Sequence, residues 1–208
     1  MELKEVIERR MSVRNFKDEE VPLEVLRKIA KAGGMAPSIN NSQPWKFVAI
    51  TNQELLTKMA DAVSLKIKTL FTKKLDFEAE HVRKKVEWFS TFFVDVPAVI
   101  AVVAEPYKAE ADDVLAEVLT HEELNELRNH PNLQTIGASV ENMLLTAVDL
   151  GFGGCWLTGP LVAKKELEQL LNISAPNYLA CLVAIGRPND NTSSKKKKSI
   201  IDIFEVIN

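Results

Sequence analysis

The sequence predicts an α+β fold: a sandwich of helices on a sheet. Three observations lead there. Helical and strand-like periods are mixed without the strict alternation of βα units. Two continuous apolar runs, residues 97–104 and Tyr178–Ile185, read as strands covered on both faces. Asn132–Leu150 has the helical period but is apolar almost all round, as expected of a helix at the centre of a core or of a dimer interface.

The elements follow in order. Glu2–Arg10 reads as a short helix with Leu3, Val6 and Ile7 on one face. Val21 and Pro22 open a second helix, where the missing proline N–H would be unpaired in any case. Gly33–Gly34 stops it. Ala36–Gln43, rich in Ser and Asn, is a turn, and Trp45–Ile50 a strand. Residues 53 to about 93 are helical and heavily charged; Glu105–Arg128 is acidic and peripheral. Within the long helix, Gln134, Glu141, Asn142 and Asp149 are nearly the only strongly polar side chains. Gly151–Gly154 ends it, and Cys155–Leu157 begins a strand. Ala163–Leu171 is a short helix, and Tyr178–Ile185 a strand closing at Gly186. A lysine-rich loop leads to a strand-like tail, Ile200–Ile207. No linker or repeat interrupts residues 1–208, which read as one domain.

Composition narrows the function. The 26 basic and 29 acidic residues give a net charge of −3, which argues against a non-specific nucleic-acid binder. No apolar stretch approaches the roughly 20 residues of a membrane helix, and the charged opening MELKEVIERR has no apolar signal region. The two cysteines, Cys155 and Cys181, lie too far apart for a CxxC motif and fit reduced core residues of a cytoplasmic protein.

Three segments carry chemistry. In RRMSVRNF, the alternating Arg10, Ser12 and Arg14 share one face of an extended chain. Two guanidinium groups and a hydroxyl there suit a phosphate or another delocalised anion; equally, they form a solvated helix end. APSINNSQPW presents Ser38, Asn41 and Gln43 to a heteroaromatic ring, or is a plain loop with Trp45 as core filling. GFGGCWLTGP is no dinucleotide fingerprint, because its glycines follow a helix and precede a strand, the reverse of that motif. The lysines of Lys195–Lys198 matter only beside a phosphate, and His81, His121 and His130 have no metal-ligand spacing.

Taken together, RRMSVRNF, APSINNSQPWKF, QTIGASVENMLLTAVDLGFGGCW and the late AIGRP with its basic cluster resemble the FMN-dependent nitroreductase family. The resemblance implies a central mixed or antiparallel sheet flanked by helices, and an intertwined homodimer with two FMN sites at the interface, each built from both subunits. It implies that Arg10, Ser12 and Arg14 hold the phosphate and ring side of the cofactor, with Arg14 at the N1–C2=O edge. Pro37, Ser38, Asn41 and Gln43 would come from the partner subunit. The backbone of Leu157, Thr158 and Gly159 would face N5 and O4. Lys195 and Lys197, where arginine is common in the family, would serve the phosphate, with Arg187 a further candidate. The region of about 60–130 would shape substrate access, with Phe71, Trp88, Phe92 and Phe93 as either pocket lining or core. Residues 200–208 would pack on the partner.

The implied activity is ping-pong hydride transfer through flavin N5, from NADH or NADPH to small electron-poor acceptors such as nitroaromatics or quinones. No side chain need act as nucleophile or base, because the flavin carries the chemistry. Reductive dehalogenation, flavin fragmentation, non-catalytic redox sensing and a purely structural role are the competing readings.

Overall fold

The periodic segments form eight α-helices and four strands among the described residues, which in this computed structural model are 1–72, 77–189 and 196–207. The helices are α1 (Leu3–Arg9), α2 (Leu23–Gly33), α3 (Gln53–Phe71), α4 (Phe77–Thr91), α5 (Glu110–Leu115), α6 (His121–Leu127), α7 (Pro131–Asp149) and α8 (Lys164–Leu170). The strands are β1 (Trp45–Ile50), β2 (Ala98–Ala104), β3 (Gly153–Leu157) and β4 (Tyr178–Gly186). They form one sheet in the order β1-β2-β4-β3, with every neighbouring pair antiparallel.

Alternation along the central strands builds two cores. Val99 and Ala101 of β2, with Leu182 and Ala184 of β4, face Leu56, Met59, Val63 and Ile67 of α3 and Leu167 of α8. Ile100 and Val102, with Cys181, Val183 and Ile185, face Leu26 and Ile29 of α2 and Val140, Met143 and Leu144 of α7. Leu179 belongs to the first core although Cys181 belongs to the second. The register shift between Val102 and Val103 accounts for this, since one extra residue on β4 reverses which face the side chains take. Burying each large apolar side chain in these layers contributes roughly 1.5–3 kcal/mol.

Local chemistry sets the helix starts. The Asn52 side chain accepts the Leu55 N–H at 2.9 Å to cap α3. Thr120 and Glu123 form a reciprocal capping box on α6. Pro131 opens α7 after His130 takes a left-handed conformation at φ 54°.

Three expectations change. Residues 53 to about 93 are two helices, with Phe92–Asp95 a 3-10 turn. The strand expected from Cys155 begins two residues earlier, because Gly153 and Gly154 are themselves strand residues paired with Gly186 and Ile185. The strand-like tail is a 3-10 turn over Ile200–Asp202, capped by Ser199, followed by an exposed segment with no strand partner among the described residues. Its apolar pattern matches a strand, but a strand needs a partner beside it, and among the described residues none pairs with this segment.

α7 is central, as its apolarity requires, with Thr135, Ile136, Ser139, Val140, Met143, Leu144 and Ala147 buried. One stripe of it is not covered. Leu133 is 49% exposed, and Trp156 of the edge strand β3, 40% exposed, lies beside Gly137. Among the described residues, no helix is long and apolar enough to cross a membrane.

Candidate functional site

The segment after α1 runs extended along β3. Ser12 bridges Gly154 in parallel, the Val13 N–H donates to the Gly154 carbonyl at 3.0 Å, and Phe16 bridges Pro188. Side chains alternate as expected. Val13 is buried, and with Met11 it lines a cavity of about 350 Å³ beside Phe152 and Pro188. Ser12 is exposed, and Arg10 and Arg14 are half-buried. The close docking depends on Gly153, where a Cβ would sit only 2.6 Å from Val13 Cγ2.

Each cation is held. Arg10 Nε lies 3.4 Å from Glu141 Oε1 on α7. The Arg14 guanidinium carbon lies 5.3 Å from the centre of the Phe89 ring on α4, a cation–π contact. Arg14 also borders a cavity of about 160 Å³ whose walls include Phe16, Trp88, Phe92 and Asp95. Beneath this face lies Cys155, whose thiol is raised by burial. The Arg14 charge and a hydrogen bond with Ser12 pull the other way without reversing it. A neutral, buried thiol is no nucleophile.

The end of β3 adjoins the same region. Leu157 is buried, whereas Thr158 and Gly159 are exposed. Gly159 begins a 3-10 turn, and a Cβ on it would come within 2.7 Å of Ser90 Oγ on α4. The last turn of α4 therefore touches both Arg14, through Phe89, and the β3 end, through Ser90.

The loop at 37–43 is a second cluster. Asn40, Asn41 and Gln43 take left-handed conformations at φ 50°, 51° and 48°, which asparagine tolerates well. Ser38 Oγ accepts the Gln43 N–H at 3.0 Å, and the Ile39 N–H donates to Thr135 Oγ1 of α7 at 3.3 Å. The Ser38 hydroxyl thus staples its own loop. A cavity of about 290 Å³ lies between Pro37–Ile39 and Pro131, Gln134, Thr135 and Ala138 of α7. Both clusters rest on one helix, since Glu141 follows Thr135 by six residues, about 9 Å along its axis.

The remaining candidates separate. Lys195 lies outside the described residues, and Lys197 is exposed. Arg187 is committed elsewhere, 3.1 Å from Glu19 and 4.5 Å from the centre of the Phe152 ring. Phe92 and Phe93 are core residues and Phe71 is half-buried, which leaves Trp88 as the exposed aromatic of that set. No metal-binding cluster occurs among the described residues, and His121 pairs with Asp112 at 2.7 Å. Sequence reasoning missed Phe89, Ser90, Asp95 and Thr135 as members of these clusters. It noted Glu141 only as a polar residue on an apolar helix.

Comparison with known proteins gives a consistent pattern. The nitroreductase family model matches residues 7–187. Among curated relatives, YfhC of Bacillus subtilis (strain 168), which bears an NAD(P)H nitroreductase name, is 23% identical over 202 residues, covering 97% of this chain and 92% of that protein. Iodotyrosine deiodinase of Thermotoga neapolitana is 24% identical over 203 residues, covering 96% and 95%. Among solved structures, a BluB-like flavoprotein from Clostridium difficile 630 is 33% identical with a TM-score of 0.90, covering 100% of both chains. An FMN-bound nitroreductase from Bacteroides fragilis NCTC 9343, 21% identical with a TM-score of 0.70 and covering 100% of both chains, shares the fold.

Proposed function

The chain belongs to the nitroreductase family, and from that premise we propose that it is an FMN-dependent oxidoreductase. It takes electrons from NADH or NADPH and passes them to small electron-poor acceptors such as nitroaromatics or quinones. The observation that carries this reading is the face formed by Arg10, Ser12 and Arg14 alongside β3, next to the exposed residues Thr158 and Gly159. The full-length similarity to a flavoprotein supports the same reading.

The donor set suits the cofactor. FMN pairs a phosphate with a ring system rich in hydrogen-bond acceptors, and the face offers two guanidinium groups and a hydroxyl beside the exposed residues Thr158 and Gly159. When bound, FMN supplies the two-electron redox chemistry between nicotinamide and acceptor. Arg10 would bind the phosphate, together with Lys197 and Lys195. Arg14 would place a fixed positive charge at the pyrimidine edge of the ring, favouring extra negative charge there. Its cation–π seat on Phe89 keeps that charge in position. The backbone at Leu157, Thr158 and Gly159 would orient the opposite edge.

Pro37, Ser38, Asn41 and Gln43 would complete the site across a homodimer. The uncovered stripe of α7, exposed Leu3 and Ile7 of α1, and the apolar tail supply the apolar surface such a dimer needs. Trp88 and Asp95, beside Arg14, would wall the acceptor side. One pocket serving donor and acceptor in turn gives ping-pong kinetics. Reductive dehalogenation is the second reading, favoured by the deiodinase relative that matches almost the whole chain.

Replacing Arg14 with alanine tests the assignment. Losing a charged hydrogen-bonding group costs about 1.5–3 kcal/mol, so FMN binding weakens by roughly 10- to 100-fold and flavin reduction slows. Unaltered flavin content and reduction rate in that variant would remove Arg14 from the site.

A further inference from the structure

We propose that Glu141 is a positioning residue that sets Arg10 for a phosphate, an inference that rests on the flavin reading above. The carboxylate stands on the uncovered stripe of α7, a helix with few other polar side chains. It meets Arg10 at Nε, 3.4 Å away, with the Arg10 side chain 20% exposed and that of Glu141 48% exposed. No other ion pair involves Glu141 among the described residues, and no side-chain nitrogen of Arg10 has a hydrogen-bond partner there, so the contact is one of charge.

A guanidinium offers two edges for a bidentate contact, one including Nε and one formed by the two terminal nitrogens. A carboxylate on the Nε side leaves the terminal edge for a second anion. Arg10 needs such a hold. It follows a seven-residue helix, lies in extended backbone, and carries a long side chain with much rotamer freedom to lose on binding. The carboxylate also repels a phosphate. An acid at this position therefore helps binding only if orienting Arg10 outweighs that repulsion, and the two effects predict opposite outcomes.

The test compares FMN with riboflavin, which has the same ring and no phosphate. The full chain is freed of flavin and titrated with each, following flavin fluorescence, for wild type, Glu141→Gln, Glu141→Ala and Arg10→Ala. Glutamine keeps the length of the side chain without the charge; alanine keeps neither. Positioning predicts that Glu141→Ala lowers the preference for FMN over riboflavin by about two- to fivefold, the scale of a half-exposed ion pair. Glu141→Gln lowers it as well, because the contact is one of charge, and Arg10→Ala loses most of the preference. A rise in preference for both Glu141 variants would make the carboxylate a repeller and overturn the proposal. So would an unchanged ratio with only a lower melting temperature, which marks a purely structural pair. A wild-type chain that binds neither flavin would instead sink the underlying flavin reading, and one that binds both equally would sink the phosphate role of Arg10.

Discussion

Gly153→Ala probes the joint on which the whole Arg10–Arg14 face depends. The added methyl would lie 2.6 Å from Val13 Cγ2, 2.9 Å from Pro188 Cγ and 3.2 Å from Val13 Cβ. Ordinary carbon contacts are about 3.5–4.0 Å, so roughly 1 Å of overlap must be relieved. Rotating Val13 does not relieve it, because the Cβ contact remains and a β-branched side chain is stiff at χ1. The backbone of residues 12–14 must therefore move away from β3, at a cost of about 1–3 kcal/mol. For a chain of this size each kcal/mol lowers the melting temperature by about 2–4 °C. Thermal unfolding and FMN titration of Gly153→Ala should thus show a loss of several degrees and weaker flavin binding together. Adding Val13→Ala removes the closest contact, so the double variant should recover part of both losses, a coupling that a double-mutant cycle reads directly. A Gly153→Ala protein with wild-type melting and wild-type flavin affinity would refute the docking of this segment on β3.

Two further predictions follow from the ionisable groups. Burial pushes the Cys181 thiol up to about 12 and raises that of Cys155, so neither should react with an aromatic disulfide reagent in the native protein at pH 8. Both should be titrated in denaturant, and native labelling of Cys155 would contradict its place beneath Ser12 and Arg14. The Asp112 carboxyl is held below its ordinary value first by the Ala109 N–H and then by His121. A carboxylate depressed in the folded state gives stability that is present above its unfolded value and lost as pH falls through the folded one. Melting temperature should therefore fall as pH drops below about 4, the ordinary range for aspartate. Asp112→Asn should melt lower than wild type at pH 7 and converge with it in acid. A constant gap between the two at every pH would show that the charge of Asp112 contributes nothing.

The elements were readable in the sequence where period and caps agree. β2 is buried throughout as its pattern says, α7 buries one face of its apolar pattern and leaves Leu133 half-exposed, and Gly33 and Pro131 bound helices as glycine and proline should. Reading failed where a residue acts through a partner distant in the chain. Gly153 looks like a helix terminator, yet its meaning is the approach of Val13 from 140 residues away. The alternation of Arg10, Ser12 and Arg14 was visible from spacing, but the contacts that hold the arginines, Glu141 and Phe89, sit on helices whose orientation no local pattern specifies. Arg187 illustrates the converse, a cation after a strand that looks available and is spent on Glu19 and Phe152. The tail has the apolar pattern of a strand but pairs with none among the described residues, because pattern alone does not supply a neighbour.

The most direct test of the central claim is the visible absorption spectrum of the purified protein, before and after NADH or NADPH is added without oxygen. The expected result is a yellow protein, or a colourless one that becomes yellow with FMN, whose absorbance bleaches on adding nicotinamide and returns when a nitroaromatic or quinone follows. A chain that cannot be reconstituted with FMN, or a bound flavin that neither nicotinamide reduces, would contradict it.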